Sequence, residues 1–132
     1  MDETQVQGRT PLLGQVLTIW RGCGGSPTWT DLTAALGGLA ESLCLVRWRD
    51  EFQAVIEVAG AQAVLVYGMP LAGRPANALT GRREGEDEAR QARDAGGPLT
   101  VEGGVDGRRI ARLYLPLLET PPAIACAVVR IS

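Results

Sequence analysis

The sequence predicts an α+β fold: a five-stranded antiparallel sheet with helices inserted between the second and third strands and one more helix at the N-terminus. Three observations carry this expectation. Apolar residues between positions 12 and 20 recur at helical spacing. Residues 44–58 alternate between apolar and other side chains on either side of a short polar turn, the mark of a β-hairpin. The C-terminal third holds an Asp106-Gly107 pair, a strong hairpin signal, between two further strand-like runs.

Residues 1–10 are polar and without period, so they read as a flexible tail, and the domain runs over 11–132. Pro11 suits the first turn of a helix whose stripe is Leu12, Leu13, Val16, Leu17 and Trp20, stopped by Gly22, Gly24 and Gly25. After Pro27, either Thr30 or Asp31 can cap a short helix with Leu32, Ala35, Leu36 and Leu39 on its apolar side. Gly37-Gly38 limits that helix to one or two turns. In the first hairpin Cys44, Val46 and Trp48 share a face, Asp50-Glu51 turn the chain, and Phe52, Ala54, Ile56 and Val58 return.

Residues 59–67 are ambiguous on periodicity alone, since the alanines favour helix and Val64-Leu65-Val66 favours strand. Gly68, Pro70, Gly73 and Pro75 then break the chain. Residues 82–94 form a charged helix with Glu86 and Arg90 in the favourable i,i+4 order. Alanines are its only apolar residues, so it reads as a solvated connector. Gly96-Gly97-Pro98 ends it, and strands follow at 99–105, 108–118 and, after Pro121-Pro122, 123–131. In the middle one Ala111, Leu113, Leu115 and Leu117 share one face while Arg112 and Tyr114 share the other. Such a sheet should carry its helices on one face and leave the other half exposed.

Composition removes most familiar catalysts. The chain has 132 residues and 14.0 kDa, enough for one domain with one core. All 13 basic residues are Arg, set against 15 acidic ones, and there is no Lys and no His. Without His there is no Ser-His-Asp triad, no Cys-His pair and no His-ligated zinc or haem. Without Lys there is no Walker A loop and no Schiff base. A pI near 5.1 argues against a nucleic-acid partner. Cys23, Cys44 and Cys126 are too far apart to form a CxxC or zinc-like group, so they read as buried reduced thiols in a cytosolic protein. The start, Met1-Asp2-Glu3, is unlike a signal peptide. No apolar run approaches the roughly 18 residues of a membrane span. The expected location is the cytoplasm, without membrane insertion.

A set of landmarks resembles the single-domain PAS family of alphaproteobacteria over about residues 12–131. They are Trp20-Arg21 closing the first helix, Pro27 before a short helix, Phe52 opening the second strand, Gly60, Tyr67-Gly68, Gly73-Arg74 and Leu115-Pro116-Leu117. The sequence departs from the family at Ala61, where a small hydroxyl is usual, and in lacking a second proline near 31–36. The resemblance implies that 59–67 is helical, starting at Gly60 and ending at Tyr67-Gly68. It also implies a pocket between the sheet and the middle helices, for which Trp48, Phe52, Ile56, Tyr67, Leu115 and Leu117 are the candidate lining. Of the ligands such domains hold, a photoactive flavin would bring an Asn-Cys-Arg-like run, which is absent, and haem usually wants His. No metal, haem or flavin is therefore expected as cofactor. A small apolar metabolite is the ligand class left, unless these side chains only fill a core.

The acid groups, Asp50-Glu51 and Glu86-Asp87-Glu88, lie in a turn and on the charged helix, where nothing would tune them for acid–base work. Arg108-Arg109-x-x-Arg112 reads as a charged strand edge, since the Asp/Asn-x-Ser-x-x-Gly half of a cyclic-dinucleotide motif is missing. The expectation is a non-enzymatic regulatory protein. No kinase, cyclase or DNA-binding segment is expected after the last strand, and the expected output is contact with other signalling proteins. The wide stripe Leu12, Leu13, Val16, Leu17 and Trp20 points to a homodimer. The alternatives are a ligand-independent scaffold or localisation factor, or a GAF- or roadblock-like regulator.

Overall fold

The computed structural model describes residues 11–81 and 84–131. The expected tail and the first two residues of the helix expected over 82–94 lie outside these. Helix α1 (Pro11–Gly22) opens on the proline that lacks an amide proton to satisfy. Helix α2 (Trp29–Leu36) is capped by Thr28, whose hydroxyl accepts the Asp31 amide at 3.1 Å, while the sequence pointed to Thr30 or Asp31. Those two already lie within the first turn. Gly37, at φ 59°, ends α2 and starts a 3-10 turn, Gly37–Ser42.

Strands β1 (Leu43–Trp48) and β2 (Ala54–Ala59) form the first hairpin. Its turn is longer than expected, because the Asp50 carboxylate accepts the amides of both Phe52 and Gln53, at 2.7 and 2.8 Å. Phe52 therefore does not open β2; it sits in the turn and is 71% exposed. A bulge sets Leu45 against Val58 and Val46 against Ile56, leaving Glu57 as the extra residue. Val58 is thereby turned off the face it was expected to share with Ile56, and it is exposed. The segment around Gly73–Pro75 straps the outer edge of β2: the Ile56 amide donates to the Arg74 carbonyl and the Gly73 amide to that of Ile56.

Residues 61–67 are helical, settling the ambiguity in the direction the resemblance implied. Helix α3 (Ala61–Tyr67) begins at Gly60 and ends at Gly68, which takes φ 71° and donates its amide to Val64. Gly60 is fixed by space rather than by dihedral: a Cβ there would lie 2.2 Å from the Glu41 carbonyl oxygen. Gly60→Ala is expected to destabilise the fold by about 1–3 kcal/mol, read as a lower urea midpoint at unchanged slope. A 3-10 turn, Ala76–Leu79, leads to helix α4 (Glu84–Ala95). Strands β3 (Leu99–Val105) and β4 (Arg108–Pro116) are joined through Asp106 and Gly107, whose φ values of 49° and 79° suit the tight hairpin turn this pair favours. Strand β5 (Ala123–Arg130) completes an antiparallel sheet of order β2-β1-β5-β4-β3.

Helices cover both faces of this sheet, not one as the sequence suggested. On the outer face Leu13, Val16, Leu17 and Trp20 of α1, with Leu32 and Leu36 of α2, pack on Leu43, Leu113, Leu115, Ala125 and Ala127. On the inner face Tyr67 of α3, Leu79, and Ala89 and Ala92 of α4 pack on Cys44, Val46, Trp48, Ile56, Tyr114 and Cys126. Strand alternation divides β4 between them, its leucines to α1 and Tyr114 to α4. Helix α4 is thus no solvated connector: Ala89 and Ala92 are buried, and their small size lets the helix lie close to the strands. Among the described residues no helix is long and apolar enough to cross a membrane.

Candidate functional site

The inner face joins an apolar floor to a buried charged cluster. Arg112, in the middle of β4, is 3% exposed. Its Nε donates to Glu88 Oε1 at 3.0 Å and its Nη2 to Glu88 Oε2 at 3.2 Å, a two-pronged contact from strand to α4. The Tyr114 hydroxyl donates to the same Glu88 Oε1 at 2.7 Å. Burial works against the Arg112 charge, yet the Glu88 hydrogen bond and nearby charge hold its pKa above the ordinary value. Next to this cluster the Tyr67 hydroxyl donates to the Leu79 carbonyl at 2.6 Å.

These groups are poor reactants. Burial raises Tyr114 and Tyr67 well above the ordinary phenol range, pushes the Cys44 thiol up to about 12, and raises Cys126 too. Cys44 and Cys126 face each other in the β1–β5 register but remain protonated thiols at neutral pH. Cys23 is not buried as the sequence suggested: it follows the end of α1 and is exposed. Among the described residues no group of three or more His, Cys, Asp or Glu is placed to hold a metal ion.

Of the pocket candidates, Trp48, Ile56 and Tyr67 do come together in the inner cluster. Phe52 does not, being held out by the Asp50 turn. Leu115 and Leu117 lie on the opposite face, against α1 and α2. The reason is the period of the strand: the β4 residues that share the face of Trp48 are Arg112 and Tyr114, one step out of phase with the leucines. Arg93 stacks over the Trp48 ring with its Cζ 4.6 Å from the centroid. The Trp48 Nε1 is buried and has no acceptor among the described residues.

The stripe assigned to a dimer is mostly internal. Leu13, Val16, Leu17 and Trp20 are buried within their own chain, and the Trp20 indole donates to the Pro116 carbonyl at 3.0 Å. Leu12 is half-buried. Outward from α1 lies instead a shallow groove of about 350 Å³, lined by Pro11, Gly14, Gln15, Thr18 and Ile19. The Thr18 hydroxyl donates to the Gly14 carbonyl at 2.9 Å, which leaves its methyl to the surface.

Sequence reasoning missed the Glu88–Arg112 pair. Arg112 was read as part of a charged edge, which fits Arg109, 58% exposed, but not Arg112 itself. The available signal was its place between the apolar residues of a central strand, where a charge requires a partner.

No protein-family model and no curated protein matches the chain. Among solved structures it is similar to the crystal structure of a domain of an HTR-like protein from Haloarcula marismortui. The TM-score is 0.54 at 15% identity, covering 69% of this chain and 99% of that one. The likeness is one of fold, and the strand order agrees with the PAS-like architecture that the landmarks implied.

Proposed function

We propose that this chain is a cytoplasmic, non-catalytic signalling module of PAS type whose output is contact with other proteins, a second copy of itself among them. The observation that supports this best is the pairing on the inner face. Glu88 is held by Arg112 and Tyr114, and Tyr67 by a backbone carbonyl, so these inner-face groups are each engaged in internal hydrogen bonds. The likeness to a domain of a larger HTR-like protein agrees with a modular, regulatory part. A homodimer would form on the outward groove of α1, which presents Pro11, Gln15, Thr18 and Ile19. Native mass spectrometry at micromolar concentration tests this: a dimer is expected, and Thr18→Arg should convert it to a folded monomer. A wild-type monomer throughout the concentration range would overturn it.

A second reading is favoured by one atom. The buried Trp48 Nε1 is a donor without an acceptor among the described residues, an arrangement a small ligand with one acceptor atom and an apolar body would complete. The same spectra report it: a constant added mass on natively purified protein supports a metabolite sensor, and its absence supports the ligand-independent scaffold.

A further inference from the structure

We propose that α4 is a releasable cover over the inner face of the sheet, held down by the Glu88–Arg112–Tyr114 latch rather than by apolar anchoring. This concerns the chain alone and rests on neither the dimer nor a ligand. The contrast with α1 carries it. Helix α1 docks through Leu13, Val16, Leu17 and Trp20. The apolar residues of α4 are all alanines, of which Ala89 and Ala92 are buried and Ala95 is exposed. Methyl groups remove little surface from water, so most of its hold on the sheet is polar. Besides the latch, the polar contacts of its described residues to other elements are Arg93 over Trp48, Arg90 Nη2 to the Phe52 carbonyl at 3.4 Å, and the Glu86 amide to Asn77 Oδ1 at 3.3 Å.

The latch favours two discrete states. Glu88 accepts hydrogen bonds from side chains of two β4 residues, and withdrawing it leaves the Arg112 charge unpaired in a buried site. A half-released helix is therefore disfavoured against both the docked and the freed one. Glycines in the left-handed region flank the helix, Gly81 at φ 71° and Gly96 at φ 68°, the positions where a segment can swing without side-chain strain. Solvent already approaches the latch from β3, through a cleft of about 280 Å³ lined by Thr80, Glu88, Gly103 and Arg112 among others. Gly103 lies directly against the latch: a Cβ there would sit 3.3 Å from Arg112 Nη2. Beneath the helix lie Tyr114, Cys126 and Trp48, which release would uncover.

Native-state hydrogen exchange of the full chain across subdenaturing urea tests this. The α4 amides are expected to exchange about tenfold or more faster than those of β4 and β5, through an opening whose urea slope is clearly smaller than that of β5. Glu88→Gln should speed them by about a hundredfold, the effect of leaving a buried charge unpaired. If α4 shares the urea slope of β5 in the wild-type chain, it opens only with the whole molecule and the proposal falls. It falls equally if α4 opens locally but Glu88→Gln leaves its exchange unchanged. Should that variant fail to fold, Tyr114→Phe removes a single bond of the latch, and an increase of about five- to tenfold is required of it.

Discussion

Arg112→Met is expected to lower the stability of the chain by about 3–5 kcal/mol, because it strands the Glu88 carboxylate at the α4–β4 contact. The loss should appear as a lower urea midpoint with little change of slope. The same argument predicts strong non-additivity. Replacing Arg112, Glu88 and Tyr114 together by Met, Leu and Phe removes both charges and the hydroxyl that depends on one of them. The triple variant is therefore expected to recover most of the single loss, or to exceed the wild type. Equal and additive losses from the separate substitutions would show that the cluster is not one buried unit.

Trp20→Ala is expected to cost about 3–5 kcal/mol, from a large cavity between α1 and β4. The bond from its indole to Pro116 is lost with it. Thermal unfolding followed by circular dichroism would register this as a fall of many degrees in Tm. A loss below about 1 kcal/mol would mean that α1 is not an integral layer of the core. For the same reason, charges placed at Leu13 and Val16 would unfold the chain rather than report on a dimer. The groove residue Thr18 is the cleaner probe of association.

Much of the fold was legible because it rests on local rules. Asp106-Gly107, the Gly60-to-Gly68 helix and the alternation in β1 and β4 are each set by a few neighbouring residues. What was not legible depended on tertiary partners. The sequence separated the leucines of β4 from Arg112 and Tyr114, but not which group would meet which helix. Leu115 looked like a pocket residue because it is large and apolar, yet α1 had a stripe that only such leucines could satisfy. Likewise the alanines of α4 gave no sign of burial, since so small a side chain is at home in solvent or under a strand. Phe52 was misplaced by a single carboxylate: Asp50 claims two amides that the second strand would have used.

The strap over β2 makes the sheet unequal at its two ends. Gly73–Pro75 occupies the outward backbone amide and carbonyl of Ile56, which would otherwise offer a template to another strand. At the opposite end β3 is the last strand, and no described segment pairs with its outer side. A molecule with one sealed and one open edge can accept an added strand only once. Edge-to-edge pairing of two copies through β3 would close on itself, with each strap facing outward, and leave no growing end for a fibre.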